Sequence, residues 1–156
     1  MAWAASWRTT VPPPVVLVLA AGLAVGLAPK GAWAPGLWAL NHGIALLLFA
    51  LAAGWMFFAL MAMHKQRTTV NPMQPGQAQQ LVERGVFAFS RNPIYLADAA
   101  LLVAWWCWLG VAEAGAGVLL FWVWIDRVQI PAEEGALAHK FGDAYTQYCA
   151  RVRRWL

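Results

Sequence analysis

Four stretches of this chain are apolar and poor in charge, and polar segments separate them. They run from Val11 to Ala28, Ala39 to Met63, Pro93 to Leu109 and Val111 to Ile130. A membrane-crossing helix needs about 20 apolar residues, with roughly 17 to 25 tolerated, so each stretch reads as a span. The second is the clearest, being uncharged, with Asn41 and His42 near its start. Pro12-Pro13-Pro14 shortens the helical part of the first. Gly110 to Gly117 can turn the chain between the third and fourth, which then form a short hairpin. Pro131 punctuates the end of the fourth. Beyond it, Ala132 to Ala150 reads as one helix, with Leu137, Phe141, Tyr145 and Tyr148 on one face at spacings of 4, 4 and 3. That helix is too polar to span and suits the membrane surface or a lid over the core.

The pattern predicts an all-α protein with a single domain over residues 1–156. It is a polytopic membrane bundle of about four transmembrane helices plus a cytoplasmic, interfacial C-terminal helix. In the central loop, Pro72 and Pro75-Gly76 break any helix. Gln77 to Glu83 can form a short helical turn that Gly85 ends. Asn92 reads as the N-cap of the third helix, with Pro93 at its first position. Arg8 ahead of the first apolar core and the small-x-small trio Ala32-Trp33-Ala34 also fit a signal peptide. The proline triplet and the tryptophan-bearing leader favour a retained helix. Gly22 and Gly26 have the GxxxG spacing that lets helices approach closely, so an oligomer through this face is possible.

Charge fixes the orientation. Of the eleven lysines and arginines, all but Lys30 fall before the first stretch, between the second and third, or from Arg127 onward. The positive-inside rule then places both termini and the His64–Asn92 loop in the cytoplasm; in a bacterium this would be the inner membrane. The net charge of +4 is explained by this arrangement, so no nucleic-acid partner is expected. Composition agrees with a bilayer as partner: 62% of residues are hydrophobic, 12% charged, and eleven are tryptophan, a residue that concentrates at membrane interfaces. Cys107 and Cys149 are far apart and are expected to be unpaired. His42, His64 and His139 are scattered, so no metal site is expected.

Two polar-aromatic blocks close the apolar segments. One runs from Leu81 to Tyr95; the other is Glu133-Glu134 followed by Leu137, Phe141-Gly142, Tyr145, Tyr148, Val152 and Arg154-Trp155. Each has a plain structural reading. Carboxylates in a first helical turn complement the helix dipole. Arg151, Arg153 and Arg154 suit anionic lipid, or else help close a cofactor site. A helix beginning at Pro93 offers free backbone N–H groups that also suit a carboxylate or phosphate. Asp98, one turn into the third stretch, is either a functional group, as ionisable residues within membrane helices commonly are, or a partner of Arg91 or Arg127.

The first block resembles the Arg-His/Asn-Pro-x-Tyr signature of isoprenylcysteine carboxyl methyltransferases, carried here by Arg91-Asn92-Pro93-Ile94-Tyr95 after Leu81-Val82 and Gly85. The second resembles the same family's C-terminal block, and its paired glutamates are shared more distantly with phosphatidylethanolamine N-methyltransferases. The resemblance implies an integral membrane enzyme using S-adenosylmethionine. It implies that Gln80, Leu81 and Val82, then Arg91, Asn92, Pro93, Ile94 and Tyr95, and then Glu133 and Glu134 line the cofactor site. Phe87 stands where the family usually has tyrosine, which removes a hydroxyl. Asn92 stands where prenylcysteine enzymes often have histidine. A basic residue ahead of the acidic pair touches substrate in the family; Arg127 is the nearest candidate, with Gln129 at the closer register.

Methyl transfer from a sulfonium needs orientation and environment more than a catalytic triad. Glu133 or Glu134 would suit the cofactor's ammonium or ribose hydroxyls, Arg91 or the backbone at Pro93–Tyr95 its carboxylate, and Tyr95 or Phe87 its adenine or cation. A pocket beside membrane helices calls for a lipophilic acceptor: a carboxylate, a thiol or an amine. An amine would need a base, for which Asp98 and His139 are the candidates. Two other readings stay open: an NADPH-dependent membrane reductase of related architecture, and a non-enzymatic scaffold.

Overall fold

The computed structural model describes residues 11–28, 38–66 and 80–156, and among these every regular element is helical. Helix α1 spans Pro13–Leu27, α2 Trp38–Lys65, α3 Pro93–Leu109, α4 Gly115–Trp124, α5 Ile130–Phe141 and α6 Asp143–Arg151. Short 3₁₀ turns lie at Gly85–Ala88 and Ala112–Ala114, and a π-helical turn at Ile125–Gln129. Arg8, Lys30 and the Ala32-Trp33-Ala34 trio lie outside the described residues, as do residues 77–79 of the expected central helical turn.

Helices α1 to α3 begin within a few residues of their expected starts. Pro13 occupies the first turn of α1 and Pro93 that of α3, where a missing N–H removes no helical bond. Gly110, in the left-handed region at φ 66, caps α3 with its N–H on the Trp106 carbonyl. The chain then reverses into α4, completing the expected hairpin.

The helices meet through small residues. On α2, Ala45, Ala52 and Ala59 are buried at every seventh position, and α3 answers with Ala97 and Ala104. This seam lets α2 lie along α3, its principal neighbour. On the other side α1 lies against α4. There Gly117 sits on the backbone of α1: a Cβ at this position would overlap the Ala20 carbonyl oxygen and lie 3.3 Å from the Ala24 Cβ. Gly22 and Gly26 meet no other part of the described chain within 4 Å of a would-be Cβ. The close approach within the chain is therefore made by Ala20, Ala24 and Gly117, while the GxxxG face points outward. Val16, Ala20, Tyr95, Leu102, Phe121, Ile125 and Ile130 form the core between α1, α3, α4 and α5.

Large apolar side chains such as Val18, Leu47, Phe58, Leu119 and Val123 stand exposed on the outer faces of α1, α2 and α4. Water is a poor solvent for such a belt. Among the described residues α2 alone is both long and apolar enough to cross a bilayer by itself, and only 17% of its most apolar window is buried. That exposure distinguishes it from the core helix of a soluble protein. At 1.5 Å per residue, α1 and α3, with 15 and 17 residues, reach about 22 and 26 Å, short of a hydrocarbon core of about 30 Å.

Three local expectations are corrected. Residues 80–84 form no helix, and Gly85, at φ 68, opens a 3₁₀ turn instead of closing a helix. Pro131 does not end the fourth segment, because helix runs unbroken from Gly115 to Phe141. A proline inside an α-helix clashes with the carbonyl four residues back. Here the preceding turn has widened to π geometry, with the Ile130 N–H bonded to the Ile125 carbonyl, and Pro131 enters at the next turn. Lastly, the single helix expected over Ala132–Ala150 is two. Gly142, at φ 51 and ψ −124, separates α5 from α6 in a conformation that side-chain-bearing residues avoid. Gly142→Ala is expected to lower stability by about 1 to 3 kcal/mol, read as a lower unfolding midpoint in detergent.

Candidate functional site

The two polar-aromatic blocks meet. Tyr95 lies in the first turn of α3 and Glu133 in the first turn of α5, 38 residues apart, and the Tyr95 hydroxyl donates to Glu133 Oε1. The π turn makes this possible by adding a residue to its circumference. Phe121, Ile125, Gln129 and Ile130 are all fully buried, so both Gln129 and Ile130 point inward where a regular helix would favour one. Gln129 Nε2 donates to the same Glu133 oxygen at 2.7 Å. Glu133 Oε1 thus holds two donors, while no hydrogen bond from the described residues reaches Oε2.

Glu134 is used differently. Arg154 grips both of its oxygens, Nε to Oε1 at 3.2 Å and NH2 to Oε2 at 2.6 Å. Arg91 NH2 adds a contact to Oε1 at 3.2 Å. The neighbours therefore divide the roles: Glu134 is saturated by guanidinium groups, and Glu133 keeps an oxygen available. Burial first, and the charge of Glu134 next, push the Glu133 carboxyl up to about 7, against the opposing hydrogen bonds from Gln129 and Tyr95.

At the start of α3, Asn92 is the N-cap residue, but its side chain does not cap the helix. Its Nδ2 donates to the Arg154 carbonyl at 3.0 Å, and its backbone N–H goes to Ser90 Oγ at 3.1 Å. The first-turn N–H groups of Ile94 and Tyr95 have no intrahelical acceptor and point to the same end of the fold as Glu133. Arg91 also contacts the Cys149 sulfur from α6. Phe87 offers its backbone carbonyl to the Tyr148 hydroxyl at 2.7 Å. Burial raises the pKa of both Tyr145 and Tyr148, which keeps these phenols as donors. Cys107 and Cys149 are free thiols.

Not every expected residue joins this junction. Val82 is buried, while Gln80 and Leu81 line a separate open pocket of about 410 Å³ with Gln66, Glu83 and Arg84, at the end of α2. Arg151 ties that region to α6 through Glu83 at 2.7 Å. Arg127 points outward, its side chain 81% exposed and paired with its neighbour Asp126; the inward position ahead of the acidic pair belongs to Gln129. His139 is exposed on α5. Asp98 is buried on α3 and forms no ion pair with Arg91 or Arg127. Asp126 and Ser90 were not legible as site residues, although a carboxylate late in an apolar segment was a usable signal for Asp126.

Comparison with known proteins gives the family. The family model described as phospholipid methyltransferase matches residues 40–144, about two thirds of the 156. The chain belongs to that family, which places it among membrane methyltransferases. An uncharacterized protein of Haemophilus influenzae is 46% identical over 63 residues, covering 40% of this chain and all of the relative. No solved structure matches the chain.

Proposed function

We propose that this protein is a multi-pass membrane enzyme that uses S-adenosylmethionine to methylate a lipophilic acceptor, in the manner of isoprenylcysteine carboxyl methyltransferases. The observation that carries the reading is the Tyr95–Glu133 junction, which joins the start of α3 to the acidic pair and leaves one carboxylate oxygen uncommitted. The donor set suits the cofactor. Glu133 Oε2 is an acceptor for an ammonium or ribose hydroxyls, and the free N–H groups of α3's first turn suit a carboxylate. When bound, the cofactor would supply an electrophilic methyl group. The chain's own task is to hold that group in line with the acceptor and keep water away.

The apolar belt on α1, α2 and α4 supports entry of the acceptor from the bilayer. Four crossings with both termini cytoplasmic remain the arrangement that best satisfies the basic residues. The short α1 and α3 would require local thinning or an interfacial position for their ends. Asp98, buried one turn from Tyr95, is the group we assign to take a proton if the acceptor is an amine; exposed His139 and Arg127 are less suited to acting inside the site. The test is calorimetric titration of the protein in nanodiscs with S-adenosylmethionine, followed by transfer of labelled methyl to extracted lipid. No binding would reject the proposal.

The elevated Glu133 pKa sets a pH dependence. Below about pH 4.5 this carboxyl is protonated whether the chain is folded or not. Between about 4.5 and 7 the folded state holds the proton more tightly. Glu133's contribution to stability is therefore fullest below that window and is lost as pH rises through about 7. Cation binding needs the ionised form and has the opposite slope. Affinity for the cationic cofactor is expected to rise as pH increases from 6 to 8, approaching tenfold per unit on the acid side. Dissociation constants measured across that range check the sign.

A further inference from the structure

We infer that Arg154 is a positioning residue of the cofactor site, holding Glu134 and the start of α3 in register so that Glu133 alone faces the ligand. The inference rests on the methyltransferase reading proposed above.

After α6 the chain becomes extended at Val152, with φ −124 and ψ 131, and runs back along the beginning of α3. The Arg91 N–H donates to the Arg153 carbonyl at 3.0 Å. Ser90 Oγ and Asn92 Nδ2 both donate to the Arg154 carbonyl, at 3.3 and 3.0 Å. The guanidinium of Arg154 reaches the other way. It grips Glu134 on α5 through two nitrogens and Asp126 on the π turn through NH1 at 3.3 Å. Trp155 fastens the same strap, its Nε1 donating to Asp126 Oδ1 at 3.0 Å and its ring lying edge-on to Trp122 at 5.7 Å. One residue thus ties the end of the chain to the starts of α3 and α5 and to the π turn between α4 and α5.

Every nitrogen of the Arg154 guanidinium is engaged by a carboxylate of this chain, and its side chain is 34% exposed. That use is hard to combine with anchoring to anionic lipid. Arg151 is likewise committed, to Glu83, which leaves Arg153 as the strap residue open to a lipid surface. A two-pronged guanidinium–carboxylate contact fixes direction as well as charge. It turns Glu134 away from the ligand and cancels its charge beside Glu133. Tyr95 faces Glu133 from α3, with Asp98 one helical turn further along. Gln129 faces it from the π turn and Glu134 from α5; Arg91 and Arg154 lie on Glu134, with Cys149 beyond Arg91, Asp126 beyond Arg154, and Tyr145 within electrostatic reach of Glu134. Arg154, with Arg91, balances the nearest of the carboxylates, and it alone grips both of that group's oxygens.

The test is calorimetry with S-adenosylhomocysteine on the full chain in nanodiscs, between pH 6 and 8.5. R154Q is expected to bind at least tenfold more weakly, with the midpoint of its pH dependence displaced upward because Glu134 then keeps only its single contact with Arg91. R154Q/E134Q, which removes both charges, is expected to bring the midpoint back toward the wild-type value. A general loss of structure would not be repaired in this way. R154K keeps the charge without the fork; it is expected to retain the wild-type midpoint with weaker affinity, and carries the test if R154Q does not fold. Wild-type affinity and midpoint in R154Q and R154K would overturn the inference, as would a defect confined to binding anionic vesicles. Wild-type protein that binds no cofactor would overturn the methyltransferase reading, and this inference with it.

Discussion

Glu133→Gln is expected to weaken S-adenosylmethionine binding at least tenfold, a loss of about 1.4 kcal/mol or more, and to flatten the pH dependence of binding. Glutamine preserves the shape of the side chain and can still accept from Tyr95 and Gln129 through its carbonyl oxygen. What it removes is the second carboxylate oxygen and the charge. The fold should therefore survive, because the hydrogen bonds into Oε1 are the structural part of this residue's role. Glu134→Gln should behave differently. It removes the charge that two guanidinium groups share, leaves Arg91 and Arg154 under-paired, and should lower the unfolding midpoint as well as the affinity. Calorimetry paired with thermal unfolding separates the two variants. Unchanged affinity in Glu133→Gln would remove the assignment of the ligand-facing carboxylate.

The second large effect is expected at Gly117. Any side chain there enters the space of the Ala20 carbonyl, which belongs to a helix backbone and cannot swing aside. Gly117→Val should force α1 and α4 apart and cost about 3 kcal/mol, measured as the shift of the unfolding equilibrium in mixed micelles. Gly22→Ala and Gly26→Ala are the matched controls. They add a methyl group to a helix but meet nothing among the described residues, so they should leave stability unchanged or raise it by up to about 1 kcal/mol. If all three glycines responded alike, the α1–α4 contact described here would be wrong.

Much of the architecture follows from local pattern. The apolar stretches became α1 to α3 because proline at a helix start and glycine at a helix end act through the backbone of a few neighbouring residues. The bounds of α2 were legible to within two residues: charge and prolines follow it, and nothing inside it breaks the 28-residue run. The seam of α2 and α3 was present as alanines at every seventh position, a spacing that has meaning once a partner helix is known to lie there.

The candidate site was legible in its parts and not in its connections. Arg91, Asn92, Tyr95, Glu133 and Glu134 could be picked out because polar and aromatic groups at the ends of apolar segments are costly unless used. Their partners could not. A periodic reading treats Pro131 as a break, whereas a π turn absorbs it; that turn depends on the packing of Phe121, Ile125 and Ile130 in the core. Gln129 joins the site through the same turn. Gly142 lies within the stretch read as one helix over Ala132–Ala150, and its backbone angles let α6 turn to meet Phe87 and Arg91.

Taken by itself, the sequence determined that the chain is helical and membrane-associated, because these depend on composition and on interactions over one or two helical turns. Which glutamate the guanidinium groups hold, which glycine touches another helix, and which arginine is a clamp and which is surface charge were decided only by the tertiary structure. Each of those depends on groups brought together from distant parts of the chain, and no local periodicity encodes their contact.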